Sequence, residues 1–273
     1  MTSSRTLALP RYRGEIADVY AGPETVAALS DVRSLLAGPG AEVLVEGRNT
    51  VVAVPLPRGP GRTADVVVKD YRSRGVDKFK TLFRASKAAR AWRGARALVE
   101  AKFETPFPVA FLERRHRGFV AESYFVAERV RGAREIRELF QTHSPEELGP
   151  ILSALGRELA AVHARGILHR DLSDGNILVL EDRGAPRFLF LDTNRVRVIR
   201  TVGSMTRARN LVRLGIPPAL RHAFLERYAE AQGRPLRISF VFWYNVSKST
   251  FTTWVRLKKA LRLRKIARKL KIQ

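Results

Sequence analysis

Residues 169–176 read His-Arg-Asp-Leu-Ser-Asp-Gly-Asn, and an apolar run follows them directly. A second apolar run, at residues 188–191, ends on Asp192. Short apolar runs bounded by turn residues are typical of strands, so the pattern predicts a polar loop followed by a two-stranded hairpin. We expect this hairpin to place Asp171, Asn176 and Asp192 side by side at one end of its strands.

Two carboxylates and an amide in this arrangement suit phosphoryl transfer from ATP. One carboxylate would accept the proton of an attacking hydroxyl, while the amide oxygen and the second carboxylate would hold magnesium, because hard cations prefer oxygen ligands. Protein kinases carry the same loop, with His-Arg-Asp, four residues, Asn and a later metal-binding Asp. The match assigns Asp171 as the base and Asn176 and Asp192 as magnesium ligands. Taken alone, Asp171 is equally consistent with a turn or cap residue.

A hairpin and a strand ending on a lysine are predicted upstream. Residues 42–57 indicate two strands around a turn that contains Gly47 and Arg48, and the next strand, at residues 65–69, ends on Lys69. In the kinase pattern such a lysine contacts the α- and β-phosphates of ATP; without the downstream loop it would be read as a solvated strand end. The sequence has no Gly-x-Gly-x-x-Gly loop at the first hairpin, so the backbone of Gly47 and the charge of Arg48 are the expected phosphate contacts there.

The basic segment at residues 70–101 is predicted to be helical. A kinase fold places a glutamate on a helix here to orient the strand lysine, but the expected position falls near Trp92. Glu100, about two turns later, is a nearby carboxylate in the wrong place, so the partner that orients Lys69 stays open. The basic face is either an ordinary solvated surface or one that faces an anion.

Strands predicted at residues 107–113 and 118–129 lead to a hinge. There, backbone groups of Glu128 and Val130 are expected to bind the adenine ring of ATP. Beyond the hinge, Ser144 followed by proline and two acids predicts the start of a helix. The rest of the chain is then mainly helical by its apolar spacing.

The formal net charge of +24 implies an anionic partner: nucleic acid, anionic lipid or a phosphorylated substrate. No recognised nucleic-acid-binding motif is present, which argues against the first of these. The chain has no cysteine, which excludes disulfides and thiolate metal sites and fits a reducing cytoplasm. Residues 1–20 lack a continuous apolar segment, so no secretory signal peptide is predicted.

Residues 256–273 contain nine Lys or Arg and no acid. As a helix, this segment would gather its apolar residues on one arc and its charges around the rest. Such a helix is typical of segments that lie on an anionic membrane surface. A helix docked on the large lobe and an RNA-binding tail are the alternatives.

With these residues in view, the chain resembles the lipopolysaccharide kinase family, the Kdo and heptose kinases of Gram-negative bacteria. The resemblance runs from about residue 42 to about residue 230. It is carried by residues 66–71 (Val-Val-Val-Lys-Asp-Tyr), 86–93, 105–110 (Thr-Pro-Phe-Pro-Val-Ala) and 167–178, and by Asp192. It implies an α+β, two-lobed protein-kinase-like fold, in which a small antiparallel β-sheet lobe with one helix precedes a larger, mainly helical lobe. It also implies ATP and Mg as cofactors and a lipopolysaccharide core glycolipid as substrate.

The expected domains are an N-terminal lead-in at 1–40 with one short helix near 25–36, an ATP-grasping N-lobe at 41–128, a helical catalytic C-lobe at 129–255 and the basic amphipathic tail at 256–273. The expected function is phosphorylation of a Kdo or heptose hydroxyl by a cytoplasmic protein, peripheral on the inner face of the inner membrane. A small-molecule or protein kinase of the same fold and a membrane-bound pseudokinase are the alternatives. The missing helix glutamate and glycine-rich loop keep the last of these open.

Overall fold

The computed structural model describes residues 3–47, 49–71, 79–182 and 184–269. The chain divides into two compact units. The first contains Met1–Arg134 and Leu178–Val198, and the second contains Glu135–Ile177 and Ile199–Gln273. The domain boundaries predicted from the sequence stay predictions.

An antiparallel sheet dominates the first unit. In chain order its strands are β1 (Ser4–Ala8), β2 (Arg13–Ala17), β3 (Glu42–Val45), β4 (Thr50–Gly59), β5 (Arg62–Asp70), β6 (Pro108–His116) and β7 (Phe119–Glu128). In space they follow the order β1-β2-β6-β7-β5-β4-β3, and each neighbouring pair is antiparallel.

Alternation along β5 places Lys69 on one face of this sheet. Val66 and Val68 are buried in the main core cluster, and successive strand residues point to opposite faces, so Lys69 lies on the other face. Lys69 pairs with Phe125 of β7, and directly paired residues share a face. Phe125 packs against a second cluster built around Trp92.

Trp92 belongs to helix α3 of the first unit. This helix (Lys87–Glu100) begins where the Ser86 hydroxyl accepts a hydrogen bond from Ala89 N. The helix predicted over residues 70–101 is therefore too long: a 3-10 turn covers Lys80–Leu82, and residues 72–78 lie outside the described part of the chain. Trp92 is buried, and its indole nitrogen donates to Glu15 at 3.0 Å.

The N-terminal region is more regular than the predicted lead-in. Strands β1 and β2 extend the sheet, and helices α1 (Pro23–Ser30) and α2 (Val32–Ala37) replace the single short helix expected there. The strands bury only a few widely spaced apolar side chains, such as Leu7 and Ile16, and β2 finds its partner in β6, far along the chain. Local apolar patterning was therefore too weak to reveal them.

The predicted hairpin is present as β10 (Ile177–Asp182) and β11 (Ala185–Phe190), which are neighbours in a smaller sheet. Strand β12 (Val196–Val198) follows. Within the first unit, Arg187 donates to both carboxylate oxygens of Glu104, at 2.8 and 2.7 Å. The Thr105 hydroxyl donates to Phe190 O at 2.7 Å. These contacts fix the end of β11 immediately before Asp192.

The second unit is mainly helical. Its helices are α4 (Ile136–Thr142), α5 (Pro145–Ala164), α6 (Ser204–Leu211), α7 (Arg221–Glu230) and α8 (Ile238–Lys269). Strand β9 (Ile167–His169) precedes the polar loop, and β8 (Arg134–Glu135) lies at the boundary of the units. A capping box between Ser144 and Glu147 opens α5, where the sequence predicts a helix start.

Helix α8 runs without a break into the predicted basic tail, whose described part ends at Lys269. Residues 270–273 of that tail lie outside the described residues. Among the helices that the structure describes, none combines the length and the apolar character needed to span a bilayer.

Candidate active site

Lys69 and Asp192 form an ion pair within the first unit. Lys69 Nζ donates to Asp192 Oδ1 at 2.7 Å, and each side chain is 24% exposed. Burial by itself lowers the pKa of an ammonium group. Here the Tyr71 oxygen and the Asp192 carboxylate outweigh burial, so the pKa of Lys69 is raised. Lys69 is therefore a cation at neutral pH, at the end of a strand and next to an acid.

Asp192 adopts a left-handed backbone conformation, with φ 52° and ψ 47°. This region is uncommon for residues other than glycine and costs free energy unless the surroundings fix it. Asn194 Nδ2 donates to Asp192 Oδ1 at 2.7 Å, and the Thr193 hydroxyl donates to Ala91 O of α3 at 2.8 Å. The turn also lies so close to α3 that a Cβ on Gly94 would collide with the carbonyl of Thr193. Close packing and hydrogen bonds together hold Asp192 towards Lys69.

These contacts answer the question that the sequence leaves open about Lys69. Its acidic partner is Asp192 itself, while Glu100 pairs with Arg96 one turn away on α3, at 3.0 Å. Trp92, at the expected glutamate position, is a core residue. Helix α3 thus stabilises the first unit through packing. The acidic contact with Lys69 comes from the turn after β11.

Asp171 and Asn176 are brought together in the second unit. Asn176 Nδ2 donates to Asp171 O at 2.8 Å, and Ser173 N donates to the same carbonyl at 2.8 Å. A 3-10 turn covers Asp174–Asn176. Because the Asn176 amide nitrogen binds the loop, its oxygen is the atom that a hard cation would take.

Arg213 contacts this loop, and the sequence analysis did not identify it as a site residue. Its Nη2 atom lies 2.7 Å from Asp171 Oδ1. No motif marks Arg213, which follows α6 in a segment remote from the loop in the chain. Only tertiary structure brings it to the carboxylate.

A chain of buried polar side chains hydrogen-bonds to the start of the loop at residues 169–176. Asn210 Nδ2 donates to His169 O at 2.8 Å, and Asn210 Oδ1 accepts from His163 Nε2 at 3.0 Å. The Tyr228 hydroxyl lies 2.6 Å from His163 Nδ1. Burial lowers the pKa of His163 to about 4, so this histidine is neutral and structural.

The predicted nucleotide contacts lie on the first unit, apart from Arg48, which falls outside the described residues. Thr50 pairs with Asp70, so the turn with Gly47 lies at the same end of β5 as Lys69. Glu128 N donates to Phe107 O at 2.9 Å, and Tyr20 Oη donates to the Glu128 carboxylate at 2.6 Å. The backbone nitrogen of Glu128 is thus engaged within the unit, and Val130 follows two residues later.

Asn176 and Asp192 each carry a side-chain oxygen of the kind that ligates magnesium. Among the described residues, no three His, Cys, Asp or Glu side chains gather as a metal cage. Magnesium is ordinarily bound by one or two protein oxygens together with substrate phosphates and water. The Asn176 amide oxygen and the Asp192 carboxylate are ligands of that type.

Comparison with known proteins identifies the family. Residues 61–227 match the family described as the lipopolysaccharide kinase (Kdo/WaaP) family, and this span is more than half of the 273 residues. The chain belongs to that family. No curated protein sequence matches it. The family resemblance, inferred from the loop at residues 169–176 and the strand that ends on Lys69, is confirmed.

A solved structure, WaaP in complex with acyl carrier protein, superposes on this lipopolysaccharide kinase with a TM-score of 0.57 at 19% sequence identity. The match covers 80% of this chain and 91% of the other. At that identity the likeness shows the fold, which is the predicted α+β, protein-kinase-like one. Solved structures of 1520 chains match, so the fold is widespread and does not by itself fix the substrate.

Family membership fixes the reaction class. The chain is a kinase, a phosphotransferase with an alcohol group as acceptor, and this implies ATP as the phosphoryl donor. It also supports the lipopolysaccharide core as the place where the acceptor lies. The predicted enzyme class is confirmed.

Proposed function

We propose that this kinase transfers the γ-phosphoryl group of ATP to a Kdo or heptose hydroxyl of the lipopolysaccharide inner core, at the cytoplasmic face of the inner membrane. The observation that carries the proposal is the ion pair between Lys69 and Asp192 at 2.7 Å. It joins the lysine and the acid that the kinase pattern requires within a chain that belongs to the family.

Each site residue has a proposed role. Asp171 accepts the proton of the attacking sugar hydroxyl as its oxygen bonds to phosphorus and the bond to the leaving oxygen of ADP breaks. Lys69 binds the phosphates of ATP, and Asn176 and Asp192 are magnesium ligands. Magnesium, when bound, neutralises phosphate charge. Positioning and charge stabilisation then supply most of the rate.

The ion pair orients both of its side chains before ATP binds. Lys69 Nζ also lies 5.2 Å from the Tyr71 ring centroid, which confines the ammonium to one side. ATP phosphates would compete with the carboxylate for the ammonium, and magnesium would take over the carboxylate charge. On ATP binding, the ammonium would exchange the carboxylate for phosphate and the carboxylate would exchange the ammonium for magnesium. Neither charge would then be left without a partner.

Nucleotide contacts at Gly47, Arg48, Glu128 and Val130 are part of the proposal. The turn with Gly47 lies at the same end of β5 as Lys69, and a glycine there lets a backbone N–H approach a phosphate closely. Glu128 and Val130 would bind the adenine through backbone groups other than the Glu128 nitrogen, which already donates to Phe107 O.

Helix α8 supports a peripheral position on an anionic membrane surface. Trp254, Val255, Leu257 and Leu261 are exposed, with Trp254 at 59%, and the sequence among and beyond them is rich in Lys and Arg. Exposed apolar side chains among basic ones are typical of helices that lie in a membrane interface. The exposure favours this interpretation over a helix docked on the large lobe.

Acyl carrier protein is a second candidate partner, since the similar WaaP structure is a complex with it. Capture of purified acyl carrier protein by this chain would support that partner. It would leave the sugar acceptor to be identified separately.

Labelled ATP and core glycolipids that lack successive sugars test the proposed function. We expect transfer until the accepting Kdo or heptose is removed, with the phosphate located on that sugar by mass spectrometry. Transfer to a soluble small molecule or protein in the absence of lipid would favour a kinase of another specificity. A chain that binds Mg-ATP without any transfer would be a pseudokinase.

A further inference from the structure

Arg213 ties the proposed catalytic base to a separate element of the second unit. Its Nη2 atom lies 2.7 Å from Asp171 Oδ1, and the two side chains are 33% and 20% exposed. A charge-assisted contact of this length fixes the orientation of a carboxylate.

Helix α8 holds Arg213 from two sides. The guanidinium carbon of Arg213 lies 5.4 Å from the ring centroid of Phe251, a cation–π contact. Lys248 Nζ donates to Val212 O at 2.8 Å and to Leu214 O at 3.1 Å. These carbonyls belong to the residues on either side of Arg213. Helix α8 therefore fixes both the main chain at Arg213 and its guanidinium group.

The segment that carries Arg213 also lies tightly against the loop with Asp171. Val212 and Leu214 are buried, and a Cβ on Gly215 would collide with the Asp174 carboxylate. A partly exposed ion pair alone contributes little. Here the pair is one of several contacts that hold the segment to the loop and to α8, which restricts the guanidinium to one position.

We propose that Arg213 is a positioning residue for phosphoryl transfer, and that Lys248 and Phe251 of α8 hold it on Asp171. The proposal rests on the proposed function, in which Asp171 is the base. It adds that the C-terminal helix takes part in assembling the catalytic loop.

Turnover of Arg213 variants is the first test. Because a hydrogen bond to a charged group would be lost, we expect Arg213→Ala to lower kcat roughly 10- to 100-fold with little change in KM for ATP. Arg213→Lys should restore part of kcat, and so should millimolar guanidinium added to Arg213→Ala. Arg209→Ala, which removes an exposed arginine of α6, is the matched control. A kcat that rises in Arg213→Ala would show that the arginine only covers the base and would overturn the proposal, as would a failure of guanidinium and Lys to restore kcat.

A double-mutant cycle tests the part played by α8. Phe251→Leu removes the aromatic face but keeps an apolar side chain. It should lower kcat several-fold in the wild-type background and produce no further loss in Arg213→Ala. Equal losses in the two backgrounds would mean that Phe251 does not act through Arg213.

Hydrogen exchange gives a readout that does not need activity. We expect residues 169–176 to exchange faster in both Arg213→Ala and Phe251→Leu, while peptides from the first unit stay unchanged. If the wild-type protein transfers phosphate to no glycolipid, the proposed function fails. The positioning role of Arg213 is then tested by hydrogen exchange alone. Unchanged exchange in the loop of well-folded variants overturns the positioning role.

Discussion

Replacing Lys69 with methionine tests the phosphate contact and the ion pair together. Lys69→Met keeps most of the aliphatic stem and removes the ammonium that lies 2.7 Å from Asp192. Both side chains are about three-quarters buried, at 24% exposure each. The change therefore leaves Asp192 largely shielded from water without its cation.

The expected loss of stability follows from the partial burial of Lys69 and Asp192. Exposed ion pairs contribute up to about 1 kcal/mol, while breaking a fully buried pair costs about 3–5 kcal/mol. For this partly buried pair we expect the free energy of unfolding to fall by about 2 kcal/mol. A hydrogen bond to a charged group contributes about 1.5–3 kcal/mol, so the Kd for Mg-ATP should rise roughly 10- to 150-fold.

Urea unfolding and calorimetric titration with Mg-ATP measure the two effects. Lys102→Met is the matched control, because Lys102 is exposed in the first unit and has no proposed role. It should leave both quantities close to wild type. A folded Lys69→Met protein that binds Mg-ATP as tightly as wild type would refute the phosphate assignment.

Three further outcomes are expected. Asn176→Ala and Asp192→Ala should raise the magnesium concentration needed for half-maximal turnover at least tenfold, and an unchanged magnesium profile would remove the metal assignment. Burial lowers the pKa of His163 to about 4 from about 6.5 in the unfolded chain, so the unfolded state binds the proton first. The free energy of unfolding should then fall by up to about 3 kcal/mol as pH drops from about 6.5 to 4, and His163→Asn should flatten that part of the urea-unfolding pH profile; an equally steep fall in the variant would contradict this. Deleting residues 256–273 should abolish sedimentation with anionic vesicles, since each basic residue near such a surface contributes about 1 kcal/mol; retained sedimentation would move the membrane contact elsewhere.

The loop at residues 169–176, the hairpin after it and the strand that ends on Lys69 could be predicted because their signals are local. Residues 169–176 and the two apolar runs after them specify a loop and two strands within a short stretch, and the valines of β5 specify the strand that ends on Lys69. The capping box of α5 is likewise a local signal, because Ser144 and Glu147 are three residues apart. In each of these cases the chemistry and the secondary structure come from one segment.

The rest depended on contacts between distant segments. Strands β1 and β2 carry few apolar residues and owe their conformation to pairing with β6. Arg213 reaches Asp171 only because α8 holds its segment. The pairing of Lys69 with Asp192 depends on the packing of α3 against the turn after β11. Such contacts have no periodic or motif signal in a single sequence.

Transfer of labelled phosphate from ATP to the intact core glycolipid by Asp171→Asn tests the central claim most directly. Asparagine keeps the size of the side chain and removes its ability to take a proton. We expect kcat to fall by about 10²–10⁴-fold, the usual contribution of a general base, while the Kd for Mg-ATP stays near that of wild type. Transfer at the wild-type rate would contradict the assignment of Asp171 as the base and the mechanism built on it.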